Sequence, residues 1–75
     1  MTKIYTGDLM ELVCVIKEYL KENGLKSKYV AEKAGVSETT FSHIINNKSL
    51  PTLPVAFKIA KVIGKRVDEL WLVKS

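Results

Sequence analysis

The chain of 75 residues carries one cysteine, one histidine and two prolines, and its four glycines stand singly. Each scarcity removes a class of function. Cys14 and His43 cannot assemble a zinc site of the usual four ligands. A lone thiol forms no internal disulfide and fits a reducing compartment, so a cytoplasmic location is expected. Gly7, Gly24, Gly35 and Gly64 are too far apart to build a glycine-rich phosphate loop. The longest apolar run, residues 12–16, falls far short of the roughly 18 residues of a membrane span. Glu11 interrupts the one stretch that could serve as a secretory leader, so neither membrane attachment nor export is expected. A Ser–His–carboxylate set can be drawn from Ser42, His43 and Glu38. These crowd onto one short segment of a chain too small to enclose a water-excluded cleft. The expectation is a protein without enzymatic activity, and without a cofactor, metal or small-molecule ligand.

What is present is core-forming and basic. Hydrophobic residues make up 47% of the chain. Leu, Ile, Val and Phe alone account for about a third, well above the roughly 20% below which chains stay disordered. The length allows one domain, residues 1–75. Twelve Lys and Arg against eight Asp and Glu give a net charge of +4 and a pI near 9.3. That excess suits an anionic partner, and on charge alone it suits a solvated lysine-rich surface equally well.

Helix signals dominate. Asp8 with Glu11 three residues on reads as a capping box, and Leu9, Leu12, Val13, Ile16, Tyr19 and Leu20 fall on one helical stripe. Gly24 then stops a first helix over residues 9–23. Met10 and Cys14 lie opposite that stripe. A second helix is predicted over residues 27–34, with Val30, Ala31 and Ala34 inward, Gly35 ending it and Val36 plugging the turn. Ser37 is an N-cap for a third helix whose Phe41, Ile44 and Ile45 face inward. Asn46 and Asn47, both tolerant of left-handed geometry, end it. Thr52 caps a fourth helix, with Pro54 in its first turn and Leu53, Ala56, Phe57, Ile59, Ala60 and Ile63 inward. A short fifth helix runs from Val67 to about Trp71. Five helices and short loops make an all-α fold.

One spacing carries more than fold class. Two helices meeting steeply across a tight turn need a small residue where their backbones approach. They also need glycine at the turn and apolar anchors on the second helix. Ala31, Gly35, Val36, Phe41 and Ile44 supply all of these within residues 27–46, although an ordinary helical hairpin meets some of the same demands. The segment resembles the lambda-repressor and Cro-like helix-turn-helix family. The resemblance extends through Ile16-Lys17-Glu18-Tyr19, Gly24-Leu25, residues 30–37, Phe41-Ser42-His43-Ile44, Asn46-Asn47-Lys48, Pro51, Lys58-Ile59-Ala60-Lys61 and Asp68-Glu69-Leu70. It implies a five-helix domain that binds double-stranded DNA sequence-specifically, as a homodimer on a palindromic operator. The chain departs from the family in several respects, and the loop from Ser49 to Leu53 carries no arginine for the minor groove. Ser27 stands where glutamine is frequent and Asn47 where glycine is frequent. Leu20 and Ile45 together replace a buried arginine–glutamate pair, which leaves no orphan charge.

Helical geometry sorts the third helix further. With Phe41 and Ile44 inward, its outward arc carries Thr39, Ser42, His43 and Asn46, bordered by Glu38 and Thr40. The resemblance assigns base contacts to Glu38, Thr39, Ser42 and His43. Thr39 can offer a methyl or hydroxyl, His43 a donor to a purine, and Glu38 an acceptor for a cytosine amino group. Phosphate contacts are expected from Ser27 and Lys28, which open the second helix, and from Asn47, Lys48 and Ser49 beyond the third. Trp71, Leu72 and Val73 close the chain with surplus apolar surface, expected at a dimer interface with a short strand formed beside Ile4 and Tyr5. Trp71 alone also suits the monomer core. Together these features indicate a small bacterial or phage transcriptional regulator, most simply a repressor. The competing reading is an antirepressor-like adaptor that uses the same fold to bind protein without reading DNA.

Overall fold

A computed structural model describes residues 11–74. The elements in chain order are β1 (Glu11–Cys14), α1 (Ile16–Asn23), α2 (Ser27–Ala34), α3 (Glu38–Ile45), α4 (Leu53–Ile63), α5 (Val67–Leu70) and β2 (Trp71–Lys74). All five predicted helices form, but the fold is not purely helical. β1 and β2 pair antiparallel in a two-stranded sheet, with Leu12 opposite Val73, Val13 opposite Leu72 and Cys14 opposite Trp71.

This sheet corrects the reading of the first helix. Residues 11–14 belong to a strand, and α1 begins only at Ile16. The run 12–16 is apolar at every position, so a helix there would need burial all round. As a strand it turns Cys14 and Trp71 inward on one face, and both are buried. Cys14 is therefore a core residue, not part of an outer helical face. Asp8, Leu9, Met10, Ile4 and Tyr5, which enter the predicted cap, stripe and terminal strand, lie outside the described residues. Leu72 and Val73 do form a strand, with residues 12 and 13 as partners. The main chain then turns sharply: the Val15 amide donates to the Leu70 carbonyl at 2.9 Å, and the Tyr19 amide to the Val15 carbonyl at 3.2 Å.

The core draws on every element: Cys14, Ile16, Leu20, Val30, Phe41, Ile44, Ile59, Leu70 and Trp71 are all buried in it. Leu20 and Ile45 are both in this cluster. On α4 the buried arc is Ala56, Ile59, Ala60 and Ile63, narrower than predicted. Leu53 and Phe57 are 65% and 58% exposed. Phe57 follows Ala56 by one residue, about 100° around the helix, which carries its ring onto the flank. Leu53 sits in the first turn, and Thr52 occupies the N-cap position there without a side-chain hydrogen bond. Among the described residues no helix is long and apolar enough to cross a membrane.

Candidate nucleic-acid interface

The candidate surface is built on the connection between α2 and α3. Gly35 ends α2 in the left-handed conformation, φ 73°, that a side chain would strain. The Val36 amide reaches back to the Ala31 carbonyl at 2.9 Å, closing the helix end, and Val36 itself is half-buried against the core. Ser37 then adopts extended geometry and its Oγ accepts from the Thr40 amide at 3.1 Å. The same hydroxyl donates to Thr40 Oγ1 at 2.9 Å. The turn is thereby fixed at both ends by hydrogen bonds to main-chain groups, and Phe41, Ile44 and Ile45 seat α3 in the core.

That seating decides what α3 presents. Glu38, Thr39, Ser42 and His43 are all exposed. Thr39 and His43, four residues apart, project nearly opposite the buried stripe. The side chains of Glu38, Thr39 and His43 make no hydrogen bond among the described residues, so their polar atoms are open to a ligand. Ser42 Oγ accepts from Asn46 Nδ2 at 3.3 Å, which leaves its own proton free. Asn46 is more fully engaged: Nδ2 also donates to the Ser42 carbonyl at 2.8 Å, and Oδ1 accepts from Lys17 Nζ at 2.8 Å.

The phosphate candidates divide. Ser27 and Lys28 are exposed in the first turn of α2, whose N-cap residue, Lys26, makes no side-chain capping bond. The first-turn amides are therefore not covered by a capping side chain. Lys28, Ser37 and Glu38 line one shallow depression between α2 and the start of α3, together with Glu32 and Val36. That lining therefore holds one lysine with two carboxylates, Glu32 and Glu38. Lys48 and Ser49 are exposed beyond α3, and Ser49 shares a second depression with Ser37 and Thr40. Asn47 behaves differently from the expectation of an amide donor to phosphate. Its amide donates to the Ile44 carbonyl at 3.2 Å, and its carboxamide bonds the main chain of Cys14. The Lys48 amide is engaged too, with the His43 carbonyl at 2.8 Å. What remains for an anion at this end is the Lys48 ammonium and Ser49.

Lys17 is a neighbour of this surface that the sequence does not announce. It lies in α1, and its 29-residue separation from Asn46 leaves no local pattern that would join them. Of the three expected interface residues at the end of the chain, Trp71 is 5% exposed and belongs to the core of the single chain. Leu72 and Val73 are 44% and 58% exposed and do present apolar surface.

Residues 16–70 match the helix-turn-helix family, and the chain belongs to it. It is 44% identical over 55 residues to antitoxin HigA-1 of Vibrio cholerae, a match covering 73% of this chain and 50% of that protein. The chain thus spans about half the length of that relative. An uncharacterized HTH-type transcriptional regulator of Methanocaldococcus jannaschii is 35% identical over 60 residues, covering 80% of this chain and 91% of the relative. Another, from Archaeoglobus fulgidus, is 32% identical over 57 residues, covering 76% and 81%. Relatives therefore occur in archaea as well as bacteria. The family match begins after β1 and stops before β2, so the sheet flanks the matched segment.

Proposed function

We propose that the protein is a sequence-specific DNA-binding transcriptional regulator, a single domain whose helix-turn-helix motif comprises residues 27–46. In this reading α3 enters the major groove, and Thr39 and His43 read base edges with Ser42 and Glu38 at their flanks. Ser27, Lys28, Lys48 and Ser49 hold the backbone on either side. The observation that carries the reading is the exposed polar face of α3, on which Glu38, Thr39 and His43 make no side-chain hydrogen bond among the described residues, held at one end by the Ser37 cap and beneath by Phe41 and Ile44. Membership of the helix-turn-helix family supports it.

The regulator acts as a repressor on a palindromic operator, as a homodimer whose contact includes Leu72 and Val73. A twofold pair would set two α3 helices about 34 Å apart, one turn of duplex. Similarity to a protein named an antitoxin supports, within this class, an antitoxin-type autoregulator. A second reading, a protein-binding adaptor, draws on Glu38, a carboxylate on the edge that would face phosphates.

Selection from a randomised duplex pool by mobility shift, at two salt concentrations, separates these. Enrichment of a palindrome with half-sites one helical turn apart, and binding that weakens steeply with salt, is expected. Absence of any enriched sequence would transfer the function to the adaptor reading. Val73→Asp should shift the protein toward monomer in sedimentation; an unchanged mass would remove this strand from the interface.

A further inference from the structure

A second charged surface lies on the opposite flank of α2. Lys28 and Glu32 border the depression shared with α3, whereas Tyr29 and Lys33 face α4. The two pairs flank opposite sides of the buried stripe formed by Val30, Ala31 and Ala34. Tyr29 and Lys33, with Lys58, Lys61 and Val62 of α4, line a depression of about 460 Å³. Lys61 also lines an adjoining depression of about 520 Å³ with Phe57, Ala60, Lys65, Arg66 and Val67. Asp68 is the one carboxylate on either lining, and it is bound to Arg66 at 2.8 Å. Among the described residues, the two linings thus hold four lysines and no unpaired carboxylate.

Two of them form a short row: Lys58 and Lys61 stand three residues apart on one face of α4. Lys65 lies beyond the left-handed Gly64 that ends the helix, its ammonium 5.4 Å from the centroid of the Tyr19 ring. Beside the row are half-exposed rings, Tyr29 and Phe57, and the half-buried Val62. The Lys33 ammonium lies over the Tyr29 ring at 5.7 Å from its centroid, which braces that ring at the groove edge. We infer that this α2–α4 groove is a docking site for an acidic polypeptide segment with carboxylates at helical spacing flanking an apolar side chain. Charge complementarity selects the carboxylates, and the rings with Val62 supply the apolar contact that fixes the register. A nucleic-acid backbone matches the lysines but has no apolar side chain to seat in the depressions. The site would leave α3 free, so a regulator on DNA could hold such a partner at the same time.

The test is a titration of isotope-labelled protein with a short capped peptide carrying glutamates at i, i+3 and i+7 around one leucine. Backbone amide shifts are followed by NMR, with the glutamine-for-glutamate peptide as control. Shifts confined to α2 and α4 around Lys33, Lys58 and Lys61, and absent with the glutamine peptide, are expected. Lys58→Gln with Lys61→Gln should weaken the acidic peptide by about tenfold. Because neither depression is lined by any residue of α3, the same pair should change duplex binding by less than about threefold at physiological salt. Shifts centred on α3, equal binding of the glutamine peptide, no shifts at all, or a non-specific duplex occupying the same groove would each overturn the assignment. The titration needs no operator, so its outcome is independent of whether α3 reads DNA.

Discussion

Asn47 holds the main chain of Cys14 by both ends of its carboxamide: Oδ1 accepts the Cys14 amide at 2.7 Å, and Nδ2 donates to the Cys14 carbonyl at 3.2 Å. Asn47 is also the single non-glycine residue with positive φ, 61°, among the described residues. The left-handed turn that ends α3 therefore points its side chain at the main chain of β1, where it stands in for a neighbouring strand. Asn47→Ala removes the clamp and strains the turn. The unmet groups of Cys14 cost about 1–3 kcal/mol, and the left-handed backbone adds about 1 kcal/mol. Asn47→Gly keeps the backbone freedom and removes only the clamp, so urea denaturation should rank wild type above glycine and glycine above alanine. An alanine variant as stable as the glycine variant would mean that the backbone strain is negligible.

Ser37 is the next hinge of the candidate surface, because its hydroxyl fixes the first turn of α3 through the Thr40 amide. Ser37→Ala should cost about 1 kcal/mol in thermal unfolding, and Ser37→Asp, which retains an acceptor, should recover most of it. The same alanine variant should bind duplex more weakly, since Thr39 lies within the turn that loosens. If Ser37→Ala unfolds like wild type, the cap contributes nothing to the position of α3.

Burial pushes the Cys14 thiol above its ordinary value of 9.0; the Ile16 amide opposes this and Glu18 reinforces it. A raised thiol pKa leaves stability intact below about pH 9, where both folded and unfolded forms are protonated. Above that, the unfolded chain ionises first, and stability falls until the folded thiol titrates as well. The wild-type urea midpoint should therefore drop more steeply above about pH 9 than that of Cys14→Ser, with a slope difference of at most about 1.4 kcal/mol per pH unit. Parallel curves for the two proteins would show that the thiol ionises equally well in both states.

Most of this architecture is legible locally. The bounds of α2 at Ser27–Ala34 follow from its apolar stripe and Gly35, and Ser37 announces α3 directly. The sheet is not legible, because residues 11–14 have their partners at 71–74, and an apolar run of that length satisfies strand and helix patterns alike. Phe57 reads as inward because the apolar stripe on α4 is wider than the surface its neighbours cover. At the candidate interface, the outward positions on α3 need only the helical period. The engagement of Asn46 by Lys17 and of Cys14 by Asn47 depends on tertiary placement, so spacing along the chain does not reveal it.

The proposed division of labour around α3 makes base and phosphate recognition separable by experiment. Lys48 is an exposed cation beyond the helix end and carries no sequence information, whereas Thr39 and His43 stand on the outward face of the helix. Lys48→Ala should weaken binding to all duplexes alike and reduce the slope of log affinity against log salt by about 0.9, the value for one phosphate. Thr39→Ala and His43→Ala should leave that slope almost unchanged and flatten the preference at particular base pairs, by about 1–3 kcal/mol for each side chain truncated. Measuring each variant against the selected site and single-base-pair changes, at several salt concentrations, distinguishes the two patterns. A Thr39 or His43 variant that weakens every duplex equally would show that α3 touches backbone rather than base edges.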